Sequence, residues 1–196
     1  MRCAALVLLT LLTVLTVLLH HGAAAAAKPG DLRLSGIASE LARRHVTIRC
    51  EGPSGALTGA RGESGRTEFI GNSPVSVSYL QEGICQTLHA YARALKAGPS
   101  CLLPCRNPLE IAWSLNTLAH ESYHLAGVRN EAQTECYALQ AIDFVARRLG
   151  ASPEQGRALG AFSFDQLPGR MPAEYSSPEC RDGHRFDLHP NDPAWP

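Results

Sequence analysis

Residues 107–135 read NPLEIAWSLNTLAHESYHLAGVRNEAQTE, and two helices can be marked out in them before the rest of the chain is considered. Asn107 stands as an N-cap, Pro108 occupies the first turn, where a missing N–H costs nothing, and Glu110 is placed to close a capping box. The pattern predicts a helix to Ala126, stopped by Gly127 in the left-handed conformation. A second helix opens at Asn130-Glu131 and runs through Tyr137, Leu139, Ile142, Phe144 and Val145 to Leu149, where Gly150 closes it.

The first helix carries His120-Glu121-Ser122-Tyr123-His124, an H-E-x-x-H sequence. Four residues advance a helix by ~6 Å and rotate it ~40° beyond a full turn, so both imidazoles leave one face close enough to share an ion. Glu121 lies about 100° round from His120, in reach of a water beside that ion without being a ligand itself. The flanking Leu118, Ala119, Leu125 and Ala126 carry no charge and keep the face dry. A catalytic zinc keeps three protein ligands and one open position, so a third donor must follow. Glu131 and Glu135 both qualify, since they stand at i and i+4 on one face of the second helix.

The stretch His120 to Glu135 resembles the zincin metallopeptidases, and within them the gluzincins, whose second helix carries an N-E-x-x-x-D pattern. The resemblance implies that His120, His124 and Glu131 bind one Zn2+ per chain. It also implies that Glu135, standing where the family has Asp, accepts a hydrogen bond from the free ring nitrogen of His120. Six residues separate His124 from Glu131, fewer than in most gluzincins, and this linker looks like the metzincin H-x-x-G-x-x-H with Asn130 at the last position. Asn is a poor zinc ligand, which leaves Glu131, with Glu135 as the alternative. In such a site the metal brings the pKa of a water toward ~7 and polarises the scissile carbonyl, while Glu121 acts as general base in peptide hydrolysis. Substrate is expected to add itself as a strand along Val75 to Leu80. Tyr123, Tyr175, His184 and His189 are the possible oxyanion donors.

Outward from the pair, Ser35 can cap a helix through Arg43 with Ile37 and Leu41 inward, followed by a strand at His45 to Cys50. Gly52 to Gly65 is a glycine-rich loop leading to a strand at Arg66 to Ile70. Val75, Val77 and Tyr79 alternate with Ser76, Ser78 and Leu80, as in a half-buried strand with a polar outer face at a sheet edge. Glu82 to Lys96 turns to helical periodicity, with Ile84, Leu88, Tyr91 and Leu95 on one stripe. Ser152-Pro153 starts a third short helix. The expected class is α+β: a small zincin-like domain over residues 28–167, with a few-stranded sheet beside the active-site helix and the second ligand-bearing helix. A Pro-rich tail, 168–196, is tied back by Cys180.

Residues 1–27 have the form of a secretory signal, with Arg2 before an uncharged run and small residues at Ala23 to Ala27; uncleaved, the same run would be an outward-facing anchor. Cys50, Cys85, Cys101, Cys105, Cys136 and Cys180 remain, an even number that in an exported chain favours disulfides. Cys50–Cys85, Cys101–Cys105 and Cys136–Cys180 are the expected pairs, against a structural zinc site that would want two C-x2-C-type pairs. With 18 basic against 18 acidic residues and no basic run, nucleic acid and anionic membrane surfaces are not expected partners. The expectation is a secreted, monomeric zinc peptidase acting on peptides or proteins. The alternative is an inactive disulfide-bonded module of the same fold that binds a partner or a metal.

Overall fold

The structure is a computed structural model and describes residues 29–51, 64–98, 103–104 and 106–191. The leader, the Cys101–Cys105 pairing and most of the glycine-rich loop lie outside the described residues. Among the described residues, six α-helices and a mixed three-stranded sheet make an α+β domain. In chain order they are α1 (Leu32–Ala42), β1 (Thr47–Glu51), β2 (Gly65–Ile70), β3 (Ser73–Gln81), α2 (Glu82–Lys96), α3 (Pro108–Leu125), α4 (Glu131–Gln140), α5 (Ile142–Arg148) and α6 (Pro153–Gln166). Two 3-10 turns, Pro168–Arg170 and Ala173–Tyr175, follow. None of the described helices is long and apolar enough to cross a membrane.

Helix α3 runs through the middle of the domain and contacts the sheet and every other helix. Leu115 and Leu118 on its inner face are fully buried with Leu34 of α1, Leu88 of α2, Ile142 of α5 and Leu159 of α6. Its N-terminus differs from the expected capping box. Asn107 adopts a left-handed backbone (φ 48°) and makes no side-chain cap, its amide donating instead to Glu110 Oε2 at 3.0 Å. The other oxygen of Glu110 accepts from Thr87 Oγ1 at 2.9 Å, so that carboxylate docks α2 against α3. At the far end Gly127 takes the left-handed stop (φ 101°) as expected.

The single helix expected over 130–149 is two segments joined at Ala141. Its N–H is shared between the carbonyls of Tyr137 and Ala138, a turn tightened toward 3-10 geometry. Likewise α1 is capped by Asp31, which accepts from Leu34 N at 2.9 Å, and not by Ser35. The Ser35 hydroxyl accepts from Ile48 N instead and fastens β1 to the helix.

The strand expected at the sheet edge lies at its centre. The order is β1-β3-β2, with β1 parallel and β2 antiparallel to β3, so both sides of Val75 to Leu80 are already paired. Its buried side chains are Ser78 and Leu80, on the face expected to be polar and outward. Among the described residues, the unpaired edge on the α3 side therefore belongs to β2. Cys50–Cys85 joins β1 to α2, and Cys136–Cys180 joins α4 to the segment after α6; both pairs match the expectation.

Candidate metal centre

The two histidines leave α3 one turn apart, with ring centroids 4.6 Å from each other. Past Gly127, Asn130 caps α4 by accepting from Gln133 N at 2.9 Å, which places Glu131 in the first helical turn, facing the histidine pair. Glu131 Oε2 lies 3.1 Å from His120 Nε2 and 3.2 Å from His124 Nε2. Ligand atoms of these three residues all fall within 4.8 Å of one another, close enough to hold a metal ion. The histidine side chains are buried and that of Glu131 is 40% exposed, so the group is walled on the helix side and open toward solvent.

The opposite ring nitrogens decide the tautomers. His124 Nδ1 is 2.7 Å from the carbonyl of Val128, and His120 Nδ1 is 3.1 Å from Glu135 Oε2. Both partners only accept, so both Nδ1 atoms carry protons, and in neutral rings both Nε2 lone pairs point at the shared position. This donor set, two imidazoles and a carboxylate with their outer nitrogens held, suits a divalent cation such as zinc. Glu135 thus stands behind His120, outside the group formed by His120, His124 and Glu131; of the two carboxylates left open by the sequence, Glu131 is the one beside both Nε2 atoms.

Without a cation, protons take its place. Burial disfavours the His120 imidazolium, but hydrogen bonds to Glu131 and Glu135 and the nearby charges of Glu121 and Glu135 outweigh it and hold the ring up at about 9. Burial of Glu131 is likewise outweighed by its bonds to His120 and His124, which pull its carboxyl down to about 2.

Glu135 is 2% exposed and needs a donor of its own. Asn116, one turn before His120 on α3, supplies it: Nδ2 lies 2.9 and 3.1 Å from the two carboxylate oxygens. Sequence reasoning missed Asn116, although an amide at i−4 from the first histidine was a readable signal.

Glu121 points from α3 toward the sheet. Its Oε2 accepts from Thr67 Oγ1 of β2 at 2.6 Å and lies 3.1 Å from Ser78 Oγ of β3. Gly65, at the start of β2, presses on it from above: a Cβ there would come within 2.7 Å of Glu121 Cγ and 2.8 Å of Oε1. Four residues further along β2, Phe69 packs edge-on to the His124 ring, with centroids 6.0 Å apart. Arg129, in the linker between α3 and α4, lies over Phe69 and donates to Gly71 O and Asn72 Oδ1, which pins the hairpin tip.

A cleft of about 290 Å³ opens beside His120 and Glu121. Its far wall comes from the segment after α6, which contributes Met171, Pro172 and Tyr175, with the Tyr175 ring 5.5 Å from that of His120. Burial, with the charges of Glu131, Glu121, Glu135 and Glu174 added, pushes the Tyr175 phenol up to about 12, so it stays a hydrogen-bond donor. The tail is therefore part of the site. The other three donor candidates are not in the cleft lining: Tyr123 packs on Tyr137, His184 is 3.9 Å from Glu179, and His189 is exposed. Trp113 is half-buried and lines the cleft, its indole N–H donating to Ser64 Oγ at 3.0 Å.

Comparison with protein-family models, with curated proteins and with solved structures finds no match for this chain.

Proposed function

We propose that the chain is an exported zinc-dependent peptidase acting on peptide or protein substrates as a single chain. The observation that carries the reading is the convergence of His120, His124 and Glu131 within 4.8 Å, next to the Glu121 carboxylate in the lining of a cleft. Zinc bound there would supply a Lewis acid that acidifies water and polarises a carbonyl.

The remaining work falls to side chains of the protein. Glu121 has one oxygen tethered to Thr67, which leaves Oε1 to take a proton from the attacking water and hand it to the departing amine nitrogen. Tyr175, kept protonated and with its ring 5.5 Å from that of His120, would donate to the oxygen that becomes negative. An extended peptide would pair with the free edge of β2, which starts at Glu121 and passes His124. The disulfides Cys50–Cys85 and Cys136–Cys180 support an oxidising compartment.

The test is a peptidase assay on the purified mature protein against a quenched peptide library. Turnover is expected, lost on adding a chelator and restored by zinc. Stoichiometric metal with no turnover on any peptide would favour the binding-module alternative. Gly65 provides a narrower check. Gly65→Ala must push Glu121 from its place, and a displacement of about 1 Å costs on the order of 10²-fold in rate. Activity should fall by that order with metal content unchanged, and an unimpaired variant would mean that the position of Glu121 is immaterial.

A further inference from the structure

Behind Glu121 the cleft continues along α3 toward its N-terminus, past Asn116 and Thr117 to Trp113. The seven helical steps from Trp113 to His120 span about 10 Å at the helical rise, the reach of a long side chain. The lining is unusual for an apolar specificity pocket. Asn116 is 3% exposed, and its Oδ1 has no hydrogen-bond partner among the described residues. The amide cannot be turned over to relieve this, because Nδ2 is held by both oxygens of Glu135 and a flip would set oxygen against carboxylate. A buried acceptor thus waits for a donor.

Charge points the same way. No lysine or arginine is among the described residues lining the cleft, whereas the carboxylates of Glu121 and Glu135 are. A divalent cation on His120, His124 and Glu131 would still leave three nearby carboxylates, Glu121, Glu131 and Glu135, against two positive charges. The rings of Trp113 and Tyr175 suit both an alkyl stem and a cation at its end.

We infer that this cleft is a subsite for a lysine or arginine side chain, its stem lying between Trp113 and the Met171–Tyr175 wall and its nitrogen donating to Asn116 Oδ1. As a specificity determinant the inference rests on the peptidase reading; as a binding site it does not.

Two measurements separate these. The first is titration of the unsubstituted protein, kept metal-free with chelator so that no turnover occurs, with N-acetylarginine amide and with N-acetylnorleucine amide, followed by NMR chemical shifts. A hydrogen bond from a charged donor to a buried acceptor should favour the arginine probe by about tenfold or more. Equal binding of the two probes, or binding of neither, overturns the inference. The second compares Pro172→Lys with Pro172→Glu, a pair at an exposed rim position that places opposite charges there. Arginine-probe binding should be weaker in the Lys variant than in the Glu variant by about three- to fivefold, with norleucine-probe binding unchanged. The same order in both probes overturns it. Cleavage of library peptides with preference for Leu or Phe would sink the subsite and leave the peptidase. Selective arginine binding without cleavage of any peptide would do the reverse.

Discussion

Glu121→Gln is expected to lower kcat by about 10²- to 10⁴-fold, the usual contribution of a positioned general base, with zinc still near one per chain. Gln is close to isosteric, and its carbonyl oxygen can still accept from Thr67 Oγ1 where Glu121 Oε2 does so at 2.6 Å. The side chain should therefore stay in place and lose only its basicity. None of the three metal-facing residues touches Glu121 Oε2, which is held by the sheet, so ligand geometry should survive. Steady-state kinetics on a cleaved peptide and metal analysis of the same preparation check both halves. An active Gln variant with normal zinc would remove Glu121 from the reaction. Loss of zinc along with activity would show that the carboxylate supports the site electrostatically instead.

Much of this constellation was legible because it is local. His120, His124, Glu131 and Glu135 lie within sixteen residues, and helical geometry alone fixes which of their side chains share a face. Gly127 at φ 101° and the cap at Asn130 were readable for the same reason. What the sequence did not disclose depends on strand pairing. Ser78 alternates with apolar neighbours exactly as an outward-facing residue would, and a polar alternation cannot tell water from a buried carboxylate. Its real partner, Glu121, is 43 positions away. Reading that polar face as solvent-exposed is what moved β3 to the edge and left β2 unassigned to the site. Gly65 and Thr67 were hidden behind the same error, at the end of a glycine-rich loop where a glycine has no distinguishing signal. The C-terminal segment looked like a tail by composition, yet it is bound to α4 through Cys136–Cys180 and through Gln140, whose amide meets Phe186 O at 2.7 Å and Leu188 N at 2.8 Å. Those bonds are what carry Tyr175 to His120, and no local pattern announces them.

The two carboxylates on α4 should separate cleanly by mutation, because Glu131 faces both Nε2 atoms and Glu135 holds the far side of the His120 ring. Glu131→Ala removes one of three metal-facing groups. Sharing a typical zinc-site binding energy among its ligands gives a loss of about 10²- to 10³-fold in affinity. Glu135→Ala leaves all three metal-facing groups and removes only the support of His120, for which about 10- to 100-fold is the expected loss. Stability of the metal-free protein should follow the opposite order. The Glu131 side chain is 40% exposed, and its removal leaves few groups stranded in the interior. Glu135 is 2% exposed, and without it both the Asn116 amide and the His120 Nδ1–H lose their acceptor. Stranding buried donors costs about 1–3 kcal/mol each, so Glu135→Ala should be the less stable variant in urea with chelator present. Competitive zinc titration and denaturation of the two variants decide it. Should Glu135→Ala lose more metal than Glu131→Ala while unfolding at the wild-type urea concentration, Glu135 is the ligand and the assignment of the two glutamates is reversed.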